Sequence, residues 1–393
     1  MWFRSLCLLA GFITVAVAAD AAPFVPTSDG QVLERLPSKG GDVQERQLRA
    51  LRDQLAKQPT SLSIALKLAR RYVDMGRTSG DPRYAGYAEA VLAPWFALAS
   101  PPVDVLVMRA TLRQRMHKFD AALADLDRVL QQNPFQAQAR LTKATILQVQ
   151  GRFAAAGEQC AELQALTQEL IWAHCLANVQ AATGTLSDSY TALNAVLERS
   201  PNVPADLRAW VATTLAEMAT RLGIIAAADA HFRAALALDA ADQYLLAAYS
   251  DFLLDNQRPA EVIALLKDKT RIDPLLLRYA LALKAARSPD AQRQIDALTT
   301  RFDASRLRGD RVHLREEARF VLQLQGDAKL ALRLAQENWA IQKEPADARV
   351  LLEAAIAAQD TNAAAELRAW LARSKFEDVT LAKLTARLDP HPS

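Results

Sequence analysis

One turn pattern recurs along this chain at a nearly constant interval, and it restricts the possible folds more than any other feature. Gly151 is followed by Arg152-Phe153 and, three residues on, by Ala156. His117 stands 34 residues earlier with Lys118-Phe119 and Ala122 behind it, and Gly184 stands 33 residues later with Thr185-Leu186 and Ser189. Gly76 begins the series, and Gly223, Gln257, Ser288, Gly326 and Asp360 continue it. The interval lengthens where extra turn-forming residues lie, at Ser79-Gly80-Asp81-Pro82 and at Ser200-Pro201-Asn202-Val203-Pro204. From Asp42 onward the pattern between breaks is that of helices. A helical hairpin of this size cannot bury its apolar face alone, so neighbouring units must stack.

Composition agrees with a helical array. Only 13 glycines and 17 prolines occur in 393 residues, while 51% of the chain is hydrophobic. Sheet folds need more turn glycines and β-branched residues, and disordered chains carry fewer apolar ones. No glycine-rich turn suited to a phosphate is present, nor a nucleophile elbow around any serine. Lys and Arg number 47 against 44 Asp and Glu, a formal charge of +3, so charge gives no sign of a phosphate-binding surface. Aromatic residues make up 6% and do not interleave with basic ones, which leaves nucleic-acid stacking unsupported.

The side chains around each turn repeat as well. Ala110 and Ala122, Ala144 and Ala156, and Ala216 and Ala228 fill paired small positions of successive units, with Ala177 at the same place in a fourth. Leu126, Cys160, Leu193 and Phe232 take the larger position between the helices. Small residues let two antiparallel helices approach, and the larger one fills the groove between them. This 34-residue pattern resembles the tetratricopeptide repeat. The resemblance implies an all-α fold, a right-handed superhelix of about nine helical hairpins. It is fullest over residues 103–273, within a regular array at 101–273. Residues 42–100 form N-terminal hairpins with a long turn, 274–311 a degenerate repeat and 312–385 C-terminal repeats. Two further stretches, 80–95 (GDPRYAGYAEAVLAPW) and 313–320 (HLREEARF) with its continuation at 338–355, resemble segments of exported tetratricopeptide proteins of Gram-negative bacteria.

The N-terminus points the same way. Arg4 precedes an apolar stretch from Leu6 to Val17 that ends in small residues, the pattern of a signal peptide over 1–18. The stretch is about a dozen residues, short of the roughly twenty that span a bilayer. An uncleaved anchor is the alternative. Residues 19–41 read as a flexible leader and 386–393 as a tail. The expectation is a periplasmic protein with no stable membrane span after signal removal.

Chemistry-bearing residues are sparse. Cys160 and Cys175 lie on successive helices, where an oxidising compartment favours a disulfide; two buried thiols are the alternative. His313, Glu316 and Glu317 share a helical face, and an ion-pair network with Glu316 meeting Arg319 accounts for them more simply than a metal or acid–base site. No catalytic residue, metal site or cofactor is indicated. The remaining functions are a scaffold binding an exported or envelope protein or peptide, and an exported hydrolytic enzyme with its site on the array.

In the tetratricopeptide family the first helix of each hairpin lines the inner face. The resemblance places Trp210, Glu217, Arg221, Tyr244 and Asp251 there on two adjacent units, and these are the expected partner-binding residues. Leu66 and Arg70 stand where the family's terminal-carboxylate clamp needs Lys and Asn, so that clamp is not indicated.

Overall fold

The computed structural model describes Ser28, Gln31, residues 43–81 and residues 83–388. The expected signal peptide with Cys7, nearly all of the expected leader, and residues 389–393 of the expected tail lie outside the described residues. The chain divides into a short N-terminal unit, 1–49, and a long one, 50–393. Helix α1 (Val43–Lys57) begins in the first unit. All that follows concerns the second.

Eight helical hairpins follow one another among the described residues, and three further helices complete the array. The hairpins are α2 (Leu62–Ser79) with α3 (Arg83–Phe96), α4 (Val103–Arg115) with α5 (Phe119–Gln132), and α6 (Ala137–Val149) with α7 (Phe153–Glu162). Next come α8 (Glu169–Ala181) with α9 (Leu186–Glu198), α10 (Ala205–Leu222) with α11 (Ile225–Leu238), and α12 (Gln243–Asp255) with α13 (Pro259–Leu266). The last are α14 (Asp273–Ala285) with α15 (Ala291–Leu307) and α16 (Leu314–Phe320) with α17 (Ala328–Ile341), after which α18 (Pro345–Ala357) turns through Gln359 into α19 (Ala365–Ser374). Helix α20 (Val379–Leu388) closes the series against α18. No strand occurs among the described residues. The fold is an all-α solenoid of tetratricopeptide type, and residues 274–311 form a hairpin like the rest.

The small positions do what their size permits. Ala110, Ala122, Ala144, Ala156, Ala216 and Ala228 have no exposed surface, and Phe232 fills its groove at 1% exposure. Each hairpin, and the link from α18 to α19, turns through one residue in the left-handed region: Gly80, His117, Gly151, Gly184, Gly223, Gln257, Arg287, Gly326 and Gln359. The first turn is therefore at Gly80 rather than Gly76. Gly76 lies inside α2, where a Cβ would come within 3.3 Å of the Tyr84 Cβ on α3. That glycine serves helix–helix approach, and the left-handed turn falls four residues later. Among the described residues, no helix is long and apolar enough to cross a membrane.

Candidate functional site

All five residues expected on the inner face sit on α10 and α12, the first helices of adjacent hairpins, with Tyr244 the second residue of α12. Trp210 is 41% exposed, and its ring lies 3.8 Å from that of His174 on α8. His174 is itself buried, hydrogen-bonded through Nε2 to Thr214 Oγ1 at 2.8 Å, with the Asn178 amide at 3.3 Å. Burial pushes its pKa down to about 3, so Trp210 rests on a neutral imidazole. Two helical turns further along α10, Glu217 Oε1 accepts the Tyr244 hydroxyl at 2.6 Å. Tyr244 is 57% exposed, and its hydroxyl is held by this bond at the surface. Burial raises Glu217 to about 7 against the lowering effect of that hydrogen bond, and the charge of Glu344 adds to the rise.

Arg221 and Asp251 have different surroundings. Burial alone would raise Asp251, but Arg278 and Arg319 outweigh it and hold the carboxyl at about 2. Their guanidinium nitrogens lie 2.6 Å from its two oxygens, one each. One turn on, Asp255 takes a two-pronged pair from Arg349 at 2.6 and 2.7 Å. These pairs run from α12 to α14, α16 and α18, so these helices are stitched together on their inner side. Arg221 donates to the Ala181 carbonyl at 2.6 Å and to the Glu377 carbonyl at 3.0 Å, with its guanidinium 4.2 Å from the centre of the Phe376 ring. Burial lowers its pKa to about 10.

The chain's own C-terminal portion thus lies against the third, fourth and fifth hairpins, and it does so along their turns. Lys343 N donates to the Val149 carbonyl at 2.7 Å, and Leu186 N donates to Glu377 Oε2 at 2.7 Å. Phe153 and Trp370 rings meet at 5.8 Å. A Cβ at Gly151 would stand 2.9 Å from Trp370 Nε1, and one at Gly184 would stand 2.9 Å from Lys375 Cβ. Left-handed backbone alone does not demand glycine here, since His117, Gln257, Arg287 and Gln359 adopt it at the equivalent turns. Space does.

The structure therefore joins Glu217 to Tyr244, leaves Trp210 on its own stack, and engages Arg221 and Asp251 with other parts of the chain. The partners Arg278, Arg319, Arg349, Phe376 and Glu377 were not foreseen. The one pair expected within α16, Glu316 with Arg319, is not made. Arg319 reaches across to Asp251, while Glu316 meets Arg315 at 3.3 Å and Glu317 meets Arg306 on α15 at 3.1 Å. Tertiary neighbours win because burial strengthens an ion pair that a solvated helix face would leave weak. His313 precedes α16 as its cap residue. Among the described residues no cluster of three or more His, Cys, Asp or Glu is placed to hold a metal ion. Cys160 and Cys175 are joined as a disulfide linking α7 to α8, with Cα atoms 5.4 Å apart.

No protein-family model matches the chain, and neither does any curated protein. Among solved structures it is similar to yeast Tom70, at 13% identity over 88% of this chain and 84% of that one, with a TM-score of 0.40. It is also similar to the tetratricopeptide domain of P58(IPK), at 17% identity over 82% of this chain and 96% of that one, with a TM-score of 0.25. At scores this low the likeness adds nothing to what the hairpins themselves establish.

Proposed function

We propose that this protein is a non-catalytic scaffold of the bacterial periplasm that binds an exported or envelope protein, or a peptide of one, on the inner face of the array. Export rests on the signal-like stretch at 1–18, and the Cys160–Cys175 disulfide fits an oxidising compartment. The observation that carries the binding reading is the pair Trp210 and Tyr244. Both rings are exposed at 41% and 57%, yet each is held in place, one by His174 and the other by Glu217. Large aromatic side chains fixed before binding lose little entropy on capture, which is the profile of an interface anchor. Glu217 positions Tyr244, and Arg221 and Asp251 shape the flanks through the contacts they already make.

The test is a pull-down from periplasmic extract with the wild type and with Trp210→Ala/Tyr244→Ala. Retained circular dichroism with lost partners supports the reading. Unchanged partners at unchanged strength refute it, and a lost fold assigns both rings to packing instead. Fractionation with mass analysis of the mature N-terminus, expected near Ala19 or Ala22, tests the compartment; a full-length chain held in the membrane would overturn it.

A further inference from the structure

Residues 375–378 connect α19 to α20 without helical structure, and they lie in a site built by two other hairpins. Every feature of that site is a recognition element. Leu186 is the first residue of α9, and its N–H donates to the Glu377 carboxylate at 2.7 Å, at the end of the helix where negative charge is favoured. Arg221 reads the Glu377 backbone carbonyl through Nε at 3.1 Å and Nη2 at 3.0 Å, and its guanidinium stacks at 4.2 Å on Phe376. The guanidinium is fixed from behind by the Ala181 carbonyl. Gly184 removes the side chain that would strike Lys375. The aromatic ring and the next residue's carbonyl are both met by Arg221 on α10, and that residue's carboxylate is met by the first N–H of α9.

We propose that this is a peptide-binding site for an extended aromatic–acidic segment, occupied in this structure by the chain's own Phe376-Glu377. The proposal rests on the scaffold reading and adds to it the chemistry of the partner and a means of control. A partner presenting an aromatic residue followed by Glu competes with the tethered segment. Tethering sets a high threshold, because an attached ligand faces its site at an effective concentration on the order of millimolar. A free peptide at micromolar concentration therefore leaves the wild type closed. The site opens to it only when the internal segment is removed or outcompeted by a partner with additional contacts, for which Trp210 on the same helix as Arg221 is placed.

The probe is a fluorescein-labelled peptide copying residues 374–380, Ser-Lys-Phe-Glu-Asp-Val-Thr. Its anisotropy is followed on the full chain and on Phe376→Ala/Glu377→Ala. The vacated variant is expected to bind the peptide at least about tenfold more tightly than the wild type. Adding Arg221→Ala to that variant, or replacing Phe or Glu in the peptide by Ala, should each abolish the gain. Phe376 also touches Trp370 at 5.5 Å, so the double variant can loosen the C-terminal helices. Glu377→Ala alone leaves that contact in place and is read the same way if circular dichroism shows the double variant unfolded. Equal binding to wild type and vacated chain, no binding to a folded vacated chain, or a gain that survives Arg221→Ala each overturns the proposal. The pull-down on Trp210 and Tyr244 touches neither residue of the internal segment, so either reading can fail without the other.

Discussion

Adding one methyl group to each turn glycine separates backbone conformation from space. Gly151, Gly184, Gly223 and Gly326 all adopt left-handed backbone, with φ between 71° and 90°. Alanine there costs about 1–2 kcal/mol for the conformation alone. At Gly326 nothing lies within 4 Å of the added Cβ, and at Gly223 the nearest atom is Val379 Cγ2 at 3.6 Å, an ordinary contact. Gly326→Ala and Gly223→Ala should therefore lose about 1 kcal/mol each. At Gly184 the Cβ would lie 2.9 Å from Lys375 Cβ and 3.4 Å from the Lys375 carbonyl. The clashing atoms are close to or part of the backbone, so no rotamer change relieves them, and overpacking adds about 1–3 kcal/mol. Gly184→Ala is expected to lose about 2–4 kcal/mol, with Gly151→Ala between the extremes because Lys343 Cδ can move while Trp370 cannot. Urea unfolding followed by circular dichroism and by tryptophan fluorescence measures the order, with coincident curves as the check on two-state behaviour. A double-mutant cycle sharpens it. Lys375 is itself left-handed at φ 53°, so Lys375→Gly removes the clashing Cβ at no conformational cost. The pair should recover at least about 1 kcal/mol over the sum of the singles. If Gly184→Ala is no worse than Gly326→Ala, or the cycle shows no coupling, the C-terminal portion does not rest on the turns and the account is wrong.

Two further expectations concern the covalent link and a carboxyl. The exported chain should show no titratable thiol from Cys160 or Cys175 in denaturant without reductant, and Cys160→Ser/Cys175→Ser should cost on the order of 3 kcal/mol for a loop of this length; two free thiols would refute the link. Glu217 carries a raised pKa of about 7 in the folded chain against about 4.5 when unfolded. The folded state then holds the proton more tightly, so this group favours folding at low pH, and its contribution is lost as pH rises from about 4.5 to about 7. Glu217→Gln should match the wild type in acid and become the more stable of the two by pH 8, as read by urea midpoints across that range. A difference that does not change with pH would mean that the carboxyl is solvated.

Much of the fold follows from spacing. A hairpin period near 34, small residues at paired positions and a larger residue between them are local features, and each acts within a unit or between neighbours. Residues 274–311 look degenerate because Ser288-Pro289 replaces the glycine turn, yet Arg287 takes up the left-handed position and the hairpin forms. Packing of Leu276, Leu277, Ala280, Leu298 and Phe302 into the adjoining core outweighs the missing turn residue. Which residues of neighbouring first helices come close is legible for the same reason, as it needs only the phase of each helix. Thus Glu217 and Tyr244, on adjacent units, fall within reach of each other.

The contacts of the C-terminal portion follow from no local rule. Nearest-neighbour reasoning treats a repeat array as one-dimensional, so that hairpin four meets hairpins three and five and nothing else. Leu186 meeting Glu377, or Asp255 meeting Arg349, lies beyond such a description. Yet a trace was present in the turns. If left-handed backbone were the only demand, glycine and other residues would be scattered among the nine turns without regard to the rest of the chain. Instead glycine holds 151, 184 and 223 in succession, where residues 343–379 pass closest, while His, Gln or Arg serves at 117, 257, 287 and 359. Gly326 shows that glycine alone does not imply a neighbour, since nothing lies near its missing Cβ. A run of consecutive turn glycines is the stronger sign, because a surface passing along the edge of an array meets successive turns. The stretches 313–320 and 338–355 carry contacts of the same kind. Arg319 and Arg349 pair with Asp251 and Asp255 across the array, while Asp347 accepts from Arg315, Asn338 and the Glu344 N–H between neighbouring helices.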